Sequence, residues 1–139
     1  FMLTEIISGI WIGDMNDIYN EQFYKDNLIN IVINCTRDQD FLDLSDLQKL
    51  RIPLSLNMDP NNDIYMLNTN KRKIMDFIHS NIESNHNILI CCYNGVTISP
   101  LIVALYMIEY GGISKDNIRD ILRSKNDKIS LDYDLSVFK

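Results

Sequence analysis

Residues 88–112 read ILICCYNGVTISPLIVALYMIEYGG. An Ile-rich run ends in Cys91 and Cys92, a short loop with one glycine follows, and an apolar stretch opens near Ser99. A strand, a tight loop and a helix start in that order make a cradle for an anion. Backbone N–H groups of Tyr93, Asn94, Gly95, Val96 and Thr97 can turn inward, and the helix N-terminus adds partial positive charge. Gly95 permits a backbone turn that a side chain would obstruct. A cysteine at the base of such a ring, Cys92, has a physical reason to be a low-pKa nucleophile. The plainer alternative is a small core residue at a strand end, the common lot of free cysteines.

Presenting that loop requires a buried strand before it and a buried helix behind it. NILICC (Asn87 to Cys92) is too short for a helix and rich in Ile, so it predicts a central strand. By strand alternation Cys91 faces away from Cys92. Ser99 to Tyr110 is apolar on nearly every side and predicts a buried helix, stopped by Gly111-Gly112. Upstream, Glu5 to Ile7 and Ile10 to Ile12 read as a hairpin broken at Ser8-Gly9. Asp14 can cap a short helix to about Tyr19, and Glu21 to Asn27 continues helically. NIVINC (Asn30 to Cys35) is a buried strand, with Cys35 in the core. Thr36 to Asp46 is an acidic surface loop with room for a short helix ending near Leu50. Arg51 to Leu54 is a brief strand.

DPNND (Asp59 to Asp63) combines a loop with a helix start, and Leu67, Ile74, Ile78 and Ile82 then fall on one helical face. His79 and His86 read as surface residues near that helix's end. Ser114 caps a helix to about Lys125, and Ser130 a last short one. Strands interleaved with helices predict an α/β three-layer fold, a central and mostly parallel sheet flanked by helices. The chain has no internal repeat or linker, so residues 2–139 read as one domain.

Composition narrows the function. Lys+Arg total 13 against Asp+Glu 19, for a net charge of -6. A general nucleic-acid binder needs a basic face to displace counterions, and anionic membranes also attract basic segments. Neither partner is expected. The arginines are Arg37, Arg51, Arg72, Arg119 and Arg123. The cysteines number 3 and include an adjacent pair, which is no disulfide framework. No zinc-ligand spacing is present, so neither metal nor cofactor is expected. The opening FMLTEIISGIW lacks a basic flank and a long apolar run, which predicts no signal peptide. Phe1 ahead of Met2 reads as an expression remnant. No stretch reaches the roughly 18 apolar residues of a membrane span. These features predict a cytoplasmic protein of a reducing compartment, and a monomer. Ile and Asn make up about a quarter of the chain, a bias expected of an AT-rich genome such as that of a large DNA virus or a protist.

The chain resembles the small dual-specificity, cysteine-dependent protein phosphatases over almost its whole length. EIISGIWIGD (Glu5 to Asp14) resembles the family's opening hairpin, and INIVINCT (Ile29 to Thr36) its next strand. RIPL (Arg51 to Leu54) resembles the strand before the general-acid loop. KIMDFIHSNIESNHNILICC (Lys73 to Cys92) resembles the helix and strand entering the signature loop. The segment from Ser99 to Ser130 resembles the helices behind it. The family's loop reads His-Cys, five residues, Arg, then Ser or Thr. The resemblance implies that Cys92 holds the nucleophile position, Tyr93 to Thr97 the phosphate loop, and Ser99 the hydroxyl that helps the thiolate leave.

Three positions depart from the pattern. Cys91 stands at the histidine, Ile98 at the arginine, and Leu56, in IPLSL, at the general-acid aspartate. Asp59 and Asp63 lie further along as the alternatives. Leu131 and Asp132 match a Pro-Asn pair that braces the loop in the family, and an Asp there disfavours a bound dianion. Ile98 has neither charge nor donor, and no basic residue lies between Cys92 and Tyr110. Losing one oxyanion donor costs about 10²–10³ in rate. Losing a general acid costs about 10²–10⁴. The expectation is a pseudophosphatase: a non-catalytic binding or competitor protein in phospho-signalling, whose partner is a protein, phosphorylated or not. The alternatives are a weak or altered cysteine-dependent phosphatase or sulfurtransferase-like thiol enzyme using Cys92, and a scaffold that binds proteins through another face.

Overall fold

The computed structural model of the chain describes residues 3–139. Phe1 and Met2 lie outside the described residues, and with them the reading of Phe1 as a remnant and of Met2 as the domain's first residue.

Five strands form one sheet in the order β1-β2-β5-β3-β4. β1 (Thr4–Ile7) and β2 (Ile10–Gly13) make the opening antiparallel hairpin. β5 (Asn87–Cys91) lies between β2 and β3 (Ile29–Asn34) and runs parallel to both. β4 (Gln48–Arg51) pairs in parallel with β3 and forms the outer edge. The sheet is mostly parallel, as predicted.

Alternation along β5 splits the interior into two cores. Ile88, Ile90 and Cys92 pack with α2 (Tyr65–Glu83), α3 (Ile98–Gly111) and α4 (Ile118–Lys125) on one face. Leu89 and Cys91 pack with Ile18 and with Tyr24 of α1 (Glu21–Asp26) on the other. The three layers are therefore one helix, a sheet and three helices. Ile88 and Ile90 are fully buried, and each such side chain contributes about 1.5–3 kcal/mol relative to exposure. α3 is buried from Ile98 through Met107 and ends at Gly112, whose φ of 65° is the left-handed C-cap.

Several local expectations are corrected. No helix ends near Leu50; that stretch is β4, and residues 52–54 are irregular. An edge strand carrying Gln48 and Lys49 lacks the continuous apolar run of a buried strand. A 3-10 turn, Asp17–Tyr19, follows Asp14, whose carboxylate takes the Asn16 and Asp17 amides. Asp59 starts a π-helical turn, Pro60–Ile64, that leads into α2. Ser114 receives the Asn117 and Ile118 amides at its carbonyl, with no side-chain cap on α4. The last turn, Leu135–Val137, is capped by Asp134 and not by Ser130. The two histidines are half-buried rather than free at the surface. His79 stacks on Tyr110 at 3.9 Å between ring centroids, and His86 Nδ1 lies 2.8 Å from Asn81 Oδ1.

The C-terminal segment is held against α4 by one side chain. Arg119 Nε donates to the Leu131 carbonyl at 2.5 Å, and its Nη2 donates to the Tyr133 carbonyl. Hydrogen bonds from a charged donor are worth about 1.5–3 kcal/mol each. Arg119→Ala is expected to lower stability by about 2 kcal/mol in a urea titration. A loss within error would show that the segment docks through Leu131 and Leu135 alone.

Candidate active site

The loop from Cys92 to Thr97 joins β5 to α3 at the carboxyl end of the sheet. Two contacts fasten it to β2: the Cys92 amide donates to the Gly13 carbonyl at 3.2 Å, and Ser99 Oγ donates to the same oxygen at 3.4 Å. The Met15 amide donates to the Tyr93 carbonyl at 3.4 Å. Gly95 has a φ of 73°, and a Cβ there would stand 3.0 Å from the Asp14 amide nitrogen. Only glycine fits both the conformation and the gap. From the other side the Ser130 amide donates to the Val96 carbonyl at 2.8 Å. That bond ties the loop to the C-terminal segment. Leu131 is fully buried, while Asp132 is exposed and takes the Ser130 hydroxyl at 2.5 Å.

Cys92, Gly95 and Ser99 come together. Cys92 Sγ accepts the Gly95 amide at 3.2 Å and lies 3.2 Å from Ser99 Oγ, and the residue is fully buried. Cys91 does not join them. It packs on the opposite face, where burial and nearby Asp17 push its thiol well above the ordinary value. Ile98 is fully buried in the main core.

The loop's donors turn to its own side chain. Asn94 Oδ1 accepts the Val96 amide at 3.0 Å, the Thr97 amide at 3.3 Å and the Thr97 hydroxyl at 3.0 Å. The Cys92 thiol also points toward it, at 3.7 Å. A carboxamide oxygen thus takes donors that the cradle would offer to an anion. Asn94 reads in sequence as one more loop residue. Its role shows only once the side chain is placed, although Asn is a residue type that bonds its own backbone a few residues on.

All five arginines are engaged in structure. Arg119 is committed to the C-terminal carbonyls. Arg123 donates to the Ile129 carbonyl and lies 3.5 Å from Asp132. Arg51 is bonded to the Thr36 and Gln39 carbonyls, and Arg72 pairs with Glu109. Arg37 is anchored beside the loop, its amide on the Tyr93 hydroxyl, but its guanidinium pairs with Asp63 at 2.9 Å. The Tyr93 hydroxyl in turn donates to Asp38 at 2.6 Å.

Leu56 is exposed to solvent in the loop after Leu54 and carries no titratable group. The two alternative acids are engaged in structure. Asp59 caps the π-helical turn, taking the Asn61 amide. Asp63 is buried and accepts the Ser55 hydroxyl, the Ser55 and Asp59 amides and Arg37. Burial alone would raise its carboxyl, but the Ser55 and Asp59 hydrogen bonds and the Arg37 contact outweigh it and hold it below the ordinary value. A group that stays ionised has no proton to give at neutral pH. Among the described residues no cluster of three or more His, Cys, Asp or Glu could hold a metal ion.

A depressed folded-state value means that Asp63 contributes stability fully above its unfolded value of 3.8 and loses it as pH falls through the folded value. Asp63→Asn is expected to cost about 2 kcal/mol near pH 7. The gap from the natural protein should narrow below about pH 4 in paired urea titrations. A gap that stays constant with pH would show that Asp63 is not held ionised.

The comparisons with known proteins agree with this architecture. The family described as "Dual specificity phosphatase, catalytic domain" matches residues 10–136. No curated protein sequence matches the chain. Among solved structures, human DUSP28 is similar at 16% identity with a TM-score of 0.82, over 95% of this chain and 86% of that one. A mouse putative dual specificity phosphatase complexed with zinc tungstate is similar at 18% identity and TM-score 0.82, over 94% and 79%. Human tyrosine phosphatase-like serine/threonine/tyrosine-interacting protein is similar at 15% identity and TM-score 0.77, over 94% and 87%. These likenesses bear on the fold, while the family match spans the sheet from β2 onward, the signature loop and the helices behind it. The chain belongs to the dual-specificity phosphatase family.

Proposed function

We propose that this family member is a pseudophosphatase, a non-catalytic protein that binds a partner and competes with active enzymes in phospho-signalling. The observation that carries the reading is Ile98, fully buried at the position of the signature arginine while every arginine of the chain is engaged elsewhere. A phosphoryl group in transfer needs a bidentate cation to balance its charge. Leu56 supplies no proton to the leaving group, and Asp63 holds none to give. What persists is the mould: Gly95 in its turn, Ser99 beside the sulfur, and the loop fastened to both flanks.

Turnover of an aryl phosphate is expected to match that of a Cys92→Ser control. Turnover above the control that disappears with the thiol would overturn the proposal in favour of a weak thiol enzyme. Ile98→Arg alone is expected to recover less than about tenfold, because the general acid is still missing. A large recovery would show that the arginine was the decisive loss.

The Asn94 carboxamide makes a protein surface a better partner than a phosphate. Asn94→Ala frees two amides and a hydroxyl. It is expected to tighten binding of tungstate, a phosphate-shaped oxyanion, by about tenfold, since a charged acceptor gains about 1.5–3 kcal/mol per bond before it is desolvated. Calorimetric titration of both proteins reads this. Unchanged affinity would mean that Asn94 does not compete with an anion.

A further inference from the structure

β4 is one edge of the sheet, opposite β1. The Ile52 amide donates to the Asn34 carbonyl of β3 at 2.9 Å, and Asn34 is the register partner of Arg51. In a parallel ladder this sets Leu50 and Ile52 to bond β3 and turns the backbone groups of Lys49 and Arg51 outward. Among the described residues those outward groups have no backbone partner. Beside the edge runs a groove of about 440 Å³ between β4 and α2, floored by Leu50, Ile52, Pro53, Met66, Ile74 and Phe77.

Lys73 borders the groove and no Asp or Glu does, in a chain with 19 acidic residues. Lys49 and Lys73 are exposed and form no ion pair among the described residues. Leu50 and Ile52 point their side chains to the groove, so Lys49 and Arg51 point theirs to the opposite face. Arg51 there donates to the Thr36 and Gln39 carbonyls and lies over the Phe41 ring at 5.0 Å.

We infer that β4 is a docking edge for an extended partner segment in which apolar and acidic residues alternate. The segment adds a strand to the sheet by bonding the outward amide and carbonyl groups of Lys49 and Arg51. Its apolar side chains enter the groove against Met66 and Phe77. Its acidic side chains fall on the other face, beside Lys49 and Arg51. A strand-length segment of that period matches both faces at once, which a helix or a uniformly acidic tail does not. The site is separate from the Cys92 loop, and its occupancy is read without phosphoryl chemistry, so its failure and the failure of the pseudophosphatase proposal are distinguishable.

The probe is a fluorescein-labelled peptide in which valine or leucine alternates with glutamate, with a control peptide carrying lysine in place of glutamate. Anisotropy should show saturable binding of the first and at least about tenfold weaker binding of the second, because the charge contrast reverses. Lys49→Pro removes an outward amide without breaking a bond to β3, and Pro is tolerated on an edge strand in that orientation. It should weaken binding about tenfold relative to Lys49→Ala, which removes the same charge. Amide shifts in a nitrogen–proton spectrum should move at Leu50 to Ile52 and at Lys73 to Phe77, and not at Tyr93 to Thr97. If Lys49→Pro unfolds, N-methylation of alternate peptide amides puts the same question to an unaltered protein. Absence of saturable binding, equal binding of the lysine peptide, equal affinity of the two Lys49 variants, or shifts confined to the Cys92 loop would each overturn the inference. The lysines would then be a guard against edge-to-edge aggregation.

Discussion

The carbonyl of Gly13 is the point on which the site turns. It receives the Cys92 amide and the Ser99 hydroxyl, and the Gly95 backbone passes so close to residues 13 and 14 that a methyl group would not fit. Gly13 has no room for a side chain either, since a Cβ there would meet Asp17 at 2.8 Å. The shape of the loop thus depends on the end of β2 as much as on the loop's own residues. The connections all run through backbone groups and small side chains. None of them needs a histidine or an arginine, so the shape of the loop does not depend on either.

The electrostatic consequence follows from where the donors and cations went. The Val96 and Thr97 amides lie on the solvent-facing side of the loop and need an acceptor there. Asn94 supplies that acceptor from inside the loop. The arginines meanwhile serve the chain's own architecture: Arg119 and Arg123 hold the C-terminal segment, and Arg37 balances the buried carboxylate of Asp63. A loop whose Val96 and Thr97 amides are taken by its own asparagine keeps fewer donors free.

Much of the frame was legible in the sequence, because its signals are local. The β-branched runs of β3 and β5 and the Leu67, Ile74 and Ile78 stripe of α2 follow the periods of a strand and a helix. β4 lies about three residues before the RIPL segment that its apolarity suggests, because an edge strand is half solvent-facing and QKLR is less apolar than RIPL. Ser114 and Ser130 carry side chains that can cap, but the chain uses a backbone carbonyl at the first and Asp134 in place of the second. The departures at Cys91, Ile98 and Leu56 were visible as letters. The plug at Asn94 and the network around Asp63 were not, since each depends on side chains brought together across turns. Asp59 and Asp63 stand four apart at a helix start, a spacing that places one over the other, and that was the available clue.

The strand order carries a cost in time. β5 is the last strand to be synthesised and the middle one in the sheet. Until residues 87–91 leave the ribosome, β2 and β3 have no common neighbour, and the Ile-rich edges that will face β5 stand open. The Cys92 loop closes later still, when the Ser130 amide arrives to donate to the Val96 carbonyl. A nascent chain of this topology passes through a stage with two unpaired parallel edges, a slow and aggregation-exposed route. During that interval a chaperone that covers strand edges would do more for the yield of this protein than one that merely shields apolar helices.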